Sequence, residues 1–305
     1  MTVSLVLATY NGEKNILSQL ESIRDQTQVL DEVLIFDDNS NDNTVSIVTD
    51  FIRNNNLLHW KLTVNQRNKG WRCNFMDALR ITIGDIVFLA DQDDIWASEK
   101  VELMNKAMIE NPNIQLLACN YLSFHDNNIP NYKDKKEGIL RRIKMYPCIF
   151  NVLYPGCTYC VRKELIDFVS KYWTPDTAHD ELLWRTALFN DALYVYSKQL
   201  VYWRRHRDSA WAIEGGNNKS LQTRIQWTAF ALRQIDTLKS FLKENGTMTI
   251  EKDKVLVANS EWIALRRELF VYKKIKTVFE LLPYLKYYNS FKQYLGDLYL
   301  TFIKG

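Results

Sequence analysis

The sequence predicts an α/β chain: a doubly wound, mostly parallel sheet followed by a helical extension. Three observations lead there. Up to about residue 125, short apolar runs alternate with amphipathic helical stretches, a βαβα rhythm that gives parallel strands covered by helices. One run, Ile86-Val87-Phe88-Leu89-Ala90, is apolar at every position, as a strand buried on both faces must be. From about residue 217 the pattern is helical throughout.

Taken in order, residues 3–8 read as the first strand. Residues 13–26 follow with Ile16, Leu17, Leu20 and Ile23 at helical spacing. Residues 33–36 form a second strand. The helix after it presents Val45, Val48, Phe51 and Ile52 on one face. A short third strand, 61–64, leads into a helix over 70–83 with Trp71, Phe75, Ala78 and Leu79 inward. The run at 86–90 is the fourth strand. A helix through Val101, Met104 and Met108 and a fifth strand at 115–120 complete the series. Residues 126–145 are polar and basic, and read as an exposed loop serving either as plain connector or as lid. The stretch 146–211 mixes short strands with a helix or two. The helical remainder divides into about three segments, broken at Gly246 and Pro283.

Composition is that of an ordinary globular protein of 305 residues, 47% hydrophobic and 25% charged. A net charge of +3 is too small to imply nucleic acid. No signal peptide is evident, and no apolar stretch approaches the roughly 20 residues needed to cross a bilayer. The five cysteines, Cys73, Cys119, Cys148, Cys157 and Cys160, are odd in number and scattered, which fits a reducing cytoplasm and buried thiols. Cys157 and Cys160 have metal-site spacing but lack a second pair.

The chemistry gathers where strands end. In such sheets ligands bind at the carboxyl ends of the strands, so Thr9-Tyr10-Asn11-Gly12, Asp37-Asp38 and Asp91-Gln92-Asp93-Asp94 converge on one edge. Three carboxylates within four residues repel one another unless a cation sits among them, and hard divalent ions take such oxygen ligands. A solvated acidic turn is the plain alternative. Neither a dinucleotide-binding glycine fingerprint nor a P-loop occurs. Carboxylates without a glycine cradle suit a nucleotide held by its base and ribose, its diphosphate neutralised by a metal.

Ala8-Thr9-Tyr10-Asn11-Gly12, Phe36-Asp37-Asp38-Asn39-Ser40, Asp91-Gln92-Asp93-Asp94-Ile95-Trp96, His179-Asp180-Glu181-Leu182-Leu183-Trp184 and Arg204-Arg205-His206, in this order, resemble the successive signatures of family 2 glycosyltransferases with a GT-A fold. The likeness covers residues 2–210 and is nearest to the bacterial branch with a D-Q-D-D-x-W motif, which holds many rhamnosyl-, glucosyl- and galactosyltransferases. It implies a GT-A catalytic domain over 1–216, with a nucleotide-sugar half at 1–125 and an acceptor half at 126–216, then a helical extension over 217–305. It implies an inverting hexosyltransferase using a UDP- or dTDP-sugar and a hydroxyl of a glycan carried on lipid, polysaccharide or protein.

By position, Thr9, Tyr10 and Asp38 would line the nucleobase pocket, and Asp91 would take the ribose hydroxyls. Asp93 would bind Mn²⁺ or Mg²⁺, Asp180 would be the catalytic base, and His206 would help to hold the diphosphate. Asp94 either supports the metal's surroundings or caps the next helix. Arg67 or Lys69 would touch the nucleotide or belong to a solvated loop. The branch often has Trp directly after the base, where this chain has Glu181, and Asn three residues after the His, where it has Ser209. A non-catalytic nucleotide-sugar-binding subunit and a sugar-phosphate nucleotidyltransferase are the alternatives.

Beyond residue 260 the resemblance ends. Basic residues (Arg266, Arg267, Lys273, Lys274, Lys276) interleave with aromatics such as Trp262, Phe270 and Phe279. Such helices pack on a neighbour, self-associate, or lie peripherally at the inner face of a membrane.

Overall fold

The computed structural model describes residues 1–125, 134, 137–206 and 220–304. The elements are β1 (Val3–Thr9), α1 (Ile16–Arg24), β2 (Glu32–Asp37), α2 (Thr44–Asn54), β3 (Trp60–Val64), α3 (Trp71–Ile81) and β4 (Ile86–Asp91). They continue with β5 (Ile95–Trp96), α4 (Lys100–Glu110), β6 (Leu116–His125), β7 (Leu140–Arg142), β8 (Tyr159–Arg162), α5 (Lys163–Ser170), α6 (His179–Phe189) and β9 (Leu193–Arg205). The helices α7 (Leu221–Glu244), α8 (Ile250–Tyr272), α9 (Ile275–Glu280) and α10 (Phe291–Tyr299) follow.

The described residues fall into two compact units. One draws on Met1–Lys144 and Leu153–His206, the other on Met145–Val152 and Arg207–Gly305. The segment at 145–152 thus belongs with the C-terminal helices, where Asn259 Nδ2 donates to Pro147 O (2.7 Å) and Phe150 lies edge-on to Trp227.

The first unit holds one mixed sheet in the order β3-β2-β1-β4-β8-β6-β9-β5, with β7 on β9. The β3-β2-β1-β4 part is parallel, as expected, and β6 runs parallel to β9. The expected succession of parallel strands is interrupted after β4: β8 lies antiparallel between β4 and β6. The fifth strand also runs to His125 rather than stopping at 120, because β9 pairs with it along its length across a bulge. Alternate residues of the sheet, among them Leu5, Leu7, Val33, Ile35 and Phe88, pack with Ile16, Leu20, Val48, Phe51 and Met104 of α1, α2 and α4. Helix α3 contacts β1 and β2, and α5 and α6 pack with it. Helix α1 starts three residues later than the periodicity suggests, because Gly12 O accepts the amides of Asn15 and Ile16 in a preceding turn.

In the second unit α7 and α8 pack along each other. Arg266, one of the basic residues interleaved with the aromatics, is fully buried. It donates to Asp297 (2.8 Å) and lies over the rings of Trp227, Trp262, Phe270 and Tyr288. A buried pair with ring faces around it offsets the desolvation that would otherwise expel the charge. Besides the break at Gly246, the helices break at Lys273, whose left-handed φ of 50° ends α8; Pro283 sits inside a short 3₁₀ turn. Among the described residues no helix is long and apolar enough to cross a membrane.

Candidate active site

Parallel register sets the first half of the site. Thr9 pairs with Asp37 and Ala8 with Asp91, so the ends of β1, β2 and β4 stand level at one edge. Asp37 faces its own turn: Thr9 Oγ1 (2.8 Å), Ser40 N (2.8 Å) and Ser40 Oγ (2.5 Å) all donate to it. Asp38 gathers the loop after β3, accepting from Lys69 N (2.8 Å), Gly70 N (2.8 Å) and Asn65 Nδ2 (2.9 Å). Gly70, at φ 84°, supplies a backbone conformation that side chains disfavour. A carboxylate offers about four acceptor positions, so one remains on Asp38 for an outside donor. The Lys69 ammonium pairs with Asp77 (2.8 Å), and Arg67 is exposed.

Gln92 was not singled out from the sequence, yet it joins two loops. Its amide donates to Tyr10 O (3.0 Å) and accepts from Tyr10 N (2.8 Å). A Cβ at Gly12 would meet Gln92 Oε1 at 2.4 Å, so a larger residue there would have to displace the Gln92 amide from the Tyr10 backbone. The Tyr10 ring remains exposed at the mouth of this loop.

The acidic centre combines β4, the loop to β5, the turn before β8, α6 and the end of β9. One atom each of Asp91, Asp94 and Cys157 lies within 4.8 Å of the others. Burial first, then the charges of Asp93 and Asp180, push the Asp91 carboxyl up to about 7. Asp94 is fully buried and raised well above the usual carboxylate range by burial and by Asp93 and Asp91. Burial, then the Asp94 and Asp91 charges, also raise the Cys157 thiol far up, so that it faces the two carboxylates protonated. This crowding of carboxyls makes the cluster a candidate site for a hard divalent cation.

Asp93 faces a different partner. Its Oδ2 lies 2.6 Å from His206 Nε2, with both side chains partly open to solvent. Arg204 pins this corner, its N donating to Asp94 Oδ1 (3.0 Å) and its Nε to Asp93 O (2.8 Å). Asp94 Oδ1 is taken by Arg204, while Asp94 Oδ2 is buried without a hydrogen-bond partner and lies in the cluster with Asp91 and Cys157. Asp93 and His206 thus face each other directly, a carboxylate oxygen and an imidazole nitrogen that form a second candidate donor pair for a divalent cation. Lys100 is buried nearby, donating to Cys157 O (2.8 Å) with its ammonium 3.2 Å from the Trp96 ring centroid. Burial lowers its pKa to about 8.

Helix α6 separates three neighbours by its roughly 100° turn per residue. His179 stacks on Phe75 (4.2 Å between centroids) and is held neutral by burial, its pKa lowered to about 3. Glu181 pairs with the buried Arg185 (3.0 Å). Asp180 is near enough to Asp91 for its charge to raise the Asp91 pKa, and it accepts from Glu181 N (2.8 Å). Burial raises the Asp180 carboxyl, with the Glu181 amide and Arg185 opposing. Gly156 makes room: a Cβ there would sit 2.9 Å from Asp180 Cβ. The structure thus brings Asp91, Asp93, Asp180 and His206 together, with Thr9, Tyr10 and Asp38 along the same sheet edge, and turns the Lys69 side chain to Asp77. Arg207, Ser209 and half of the 126–145 loop lie outside the described residues; within its described part, Leu140–Arg142 is strand β7 rather than loop.

The family profile described as "Glycosyl transferase family 2" matches residues 4–167, more than half of the chain. The chain belongs to this family and is a glycosyltransferase. Among curated relatives, the dTDP-rhamnosyl transferase RfbG of Shigella flexneri is 29% identical over 215 residues, 67% of this chain and 72% of its own length. The Escherichia coli UDP-Glc:alpha-D-GlcNAc-diphosphoundecaprenol beta-1,3-glucosyltransferase WfgD is 33% identical over 127 residues, 42% of this chain and 48% of that protein. Among solved structures, S. aureus TarS in complex with UDP-GlcNAc superposes with a TM-score of 0.61 at 19% identity, covering 98% of this chain and 82% of that one. The mannosyltransferase PcManGT of Pyrobaculum calidifontis, in complex with GDP-Man and Mn²⁺, gives 0.56 at 16%, covering 98% and 83%. At such identities the superpositions establish the shared GT-A-type fold.

Proposed function

We propose that the protein transfers a hexose from a UDP- or dTDP-sugar to a hydroxyl of a glycan acceptor, with inversion at the anomeric carbon. The observation that carries this reading is the Asp180 carboxyl, raised by burial and set against Asp91 at the sheet edge. A carboxyl with a raised pKa is a better proton acceptor than a solvated one. Asp180 takes the acceptor's hydroxyl proton as its oxygen bonds to the anomeric carbon and the bond to the diphosphate breaks. Asp38 uses its free acceptor position for the base's imide N–H, beside Thr9 and Tyr10, and Asp91 receives the ribose hydroxyls. Mn²⁺ or Mg²⁺, held by Asp93 and His206, would supply charge neutralisation for the departing diphosphate. Lys69 contributes its backbone to this pocket through Asp38.

The names of the curated relatives support both a dTDP- and a UDP-linked donor, and a diphosphate-lipid-linked sugar as one acceptor class. The test offers UDP-, dTDP- and GDP-sugars with Mn²⁺, Mg²⁺ or chelator and measures released nucleoside diphosphate. One donor should turn over only with metal, and Asp93→Ala should abolish it. Asp180→Asn should lower turnover by about 10²–10⁴-fold with donor affinity retained. The rate should fall as acidification protonates Asp180, at higher pH than an ordinary carboxylate. Full activity of Asp180→Asn would remove the base assignment.

A further inference from the structure

The C-terminal helices carry a surface that sugar transfer does not use. Helix α10 turns Tyr294 and Asp297 inward: Tyr294 Oη donates to Val278 O of α9 (2.9 Å), and Asp297 holds Arg266. On its other side Phe291, Leu295 and Tyr299 recur at i, i+4 and i+8, all exposed, and Ile303 extends the stripe. Adjacent α9 exposes Ile275 and Phe279 with the same spacing. Phe279 is 65% and Phe291 59% exposed, so these rings are uncovered rather than half-packed. An apolar patch of this extent marks an interaction surface.

Charge decides what it meets. Lys274 and Lys276 pair with Glu268 and Glu280. Lys273, Lys286, Lys292 and Lys304 are exposed among the apolar residues with no carboxylate partner among the described residues. A second copy docking through the same face would set lysine against lysine, because a two-fold interface is self-complementary. A bilayer carrying anionic headgroups satisfies both features, accepting rings at the acyl boundary and lysines at the phosphates. We propose that α9, α10 and the segment between them dock the protein on an anionic lipid surface, lying in its plane without crossing it.

The test uses the full chain and flotation with vesicles of phosphatidylcholine alone or mixed with phosphatidylglycerol, independent of any transfer assay. Binding should require phosphatidylglycerol and weaken about tenfold or more at high salt. Charge reversal at Lys273, Lys292 and Lys304 should have a similar effect. Replacing Phe279, Phe291 and Tyr299 by Ser should abolish binding with an unchanged circular dichroism melt and unchanged donor hydrolysis in the absence of vesicles. Light scattering runs alongside. Failure of the unaltered protein to float, or equal flotation with neutral vesicles, overturns the proposal. So does a dimer without flotation that the aromatic substitutions dissolve, which would make the face a self-association surface.

Discussion

Gln92 stands between two carboxylates in the sequence and between two loops in the fold. Its two bonds to the Tyr10 backbone clip the loop after β1 to the loop after β4, so the residues proposed to line the base are positioned by the motif proposed to bear the metal. Gln92→Leu keeps the bulk and removes both bonds. At about 0.5–1.5 kcal/mol each, their loss should raise the nucleotide dissociation constant roughly tenfold, measured by calorimetry with UDP and Mn²⁺, with little change in melting temperature. Unchanged affinity would show that the loop holds its place without the clip. The carboxylates around Gln92 were legible because like charges in one turn demand an explanation. An uncharged amide carries no such signal, and its partner lies in a distant loop. His206 was legible from its motif, but its 2.6 Å approach to Asp93 depends on β5 pairing antiparallel with β9.

At the scale of elements, α6 and the turn Gly156–Thr158 form a pair. The helix splits His179, Asp180 and Glu181 into core, site and ion pair, and Gly156 leaves the space Asp180 fills. Gly156→Ala should displace the Asp180 carboxyl and reduce turnover by about 10²-fold with donor affinity kept, read as a fall in kcat at constant KM. Equal loss in both would mean that the turn serves folding instead. The divergence of the three residues follows from helical geometry and was foreseeable. The placement of β8 was not: Tyr159–Arg162 is too short to show a period, and its partners Phe88 and Ala118 are far away in sequence. Nor was the end of α8, because a left-handed lysine leaves no mark that glycine would.

Across the whole molecule, the raised acids couple pH to stability. A carboxyl whose folded pKa exceeds its unfolded value contributes stability that is present at low pH and lost as pH rises. Asp91, at about 7 against 3.8, together with Asp94 and Asp180, therefore weakens the fold between about pH 4 and pH 7. A divalent cation removes that cost. Mn²⁺ should raise the melting temperature more at about pH 8 than at about pH 5, and Asp93→Ala should cancel the difference. An equal shift at both pH values would place the ion elsewhere. The antiparallel strand at the centre of the sheet also fixes an order of events during synthesis. Once β6 has left the ribosome, β3, β2, β1 and β4 can already form a ladder, but β4 keeps a bare edge and β6 has no strand to lie against. Both wait for β8, and β6 waits for β9 after that. The nascent chain thus carries unpaired apolar edges on β4 and β6 until residue 162 emerges, and one on β6 until β9 emerges at 193–205, the period in which slow translation most exposes it to aggregation.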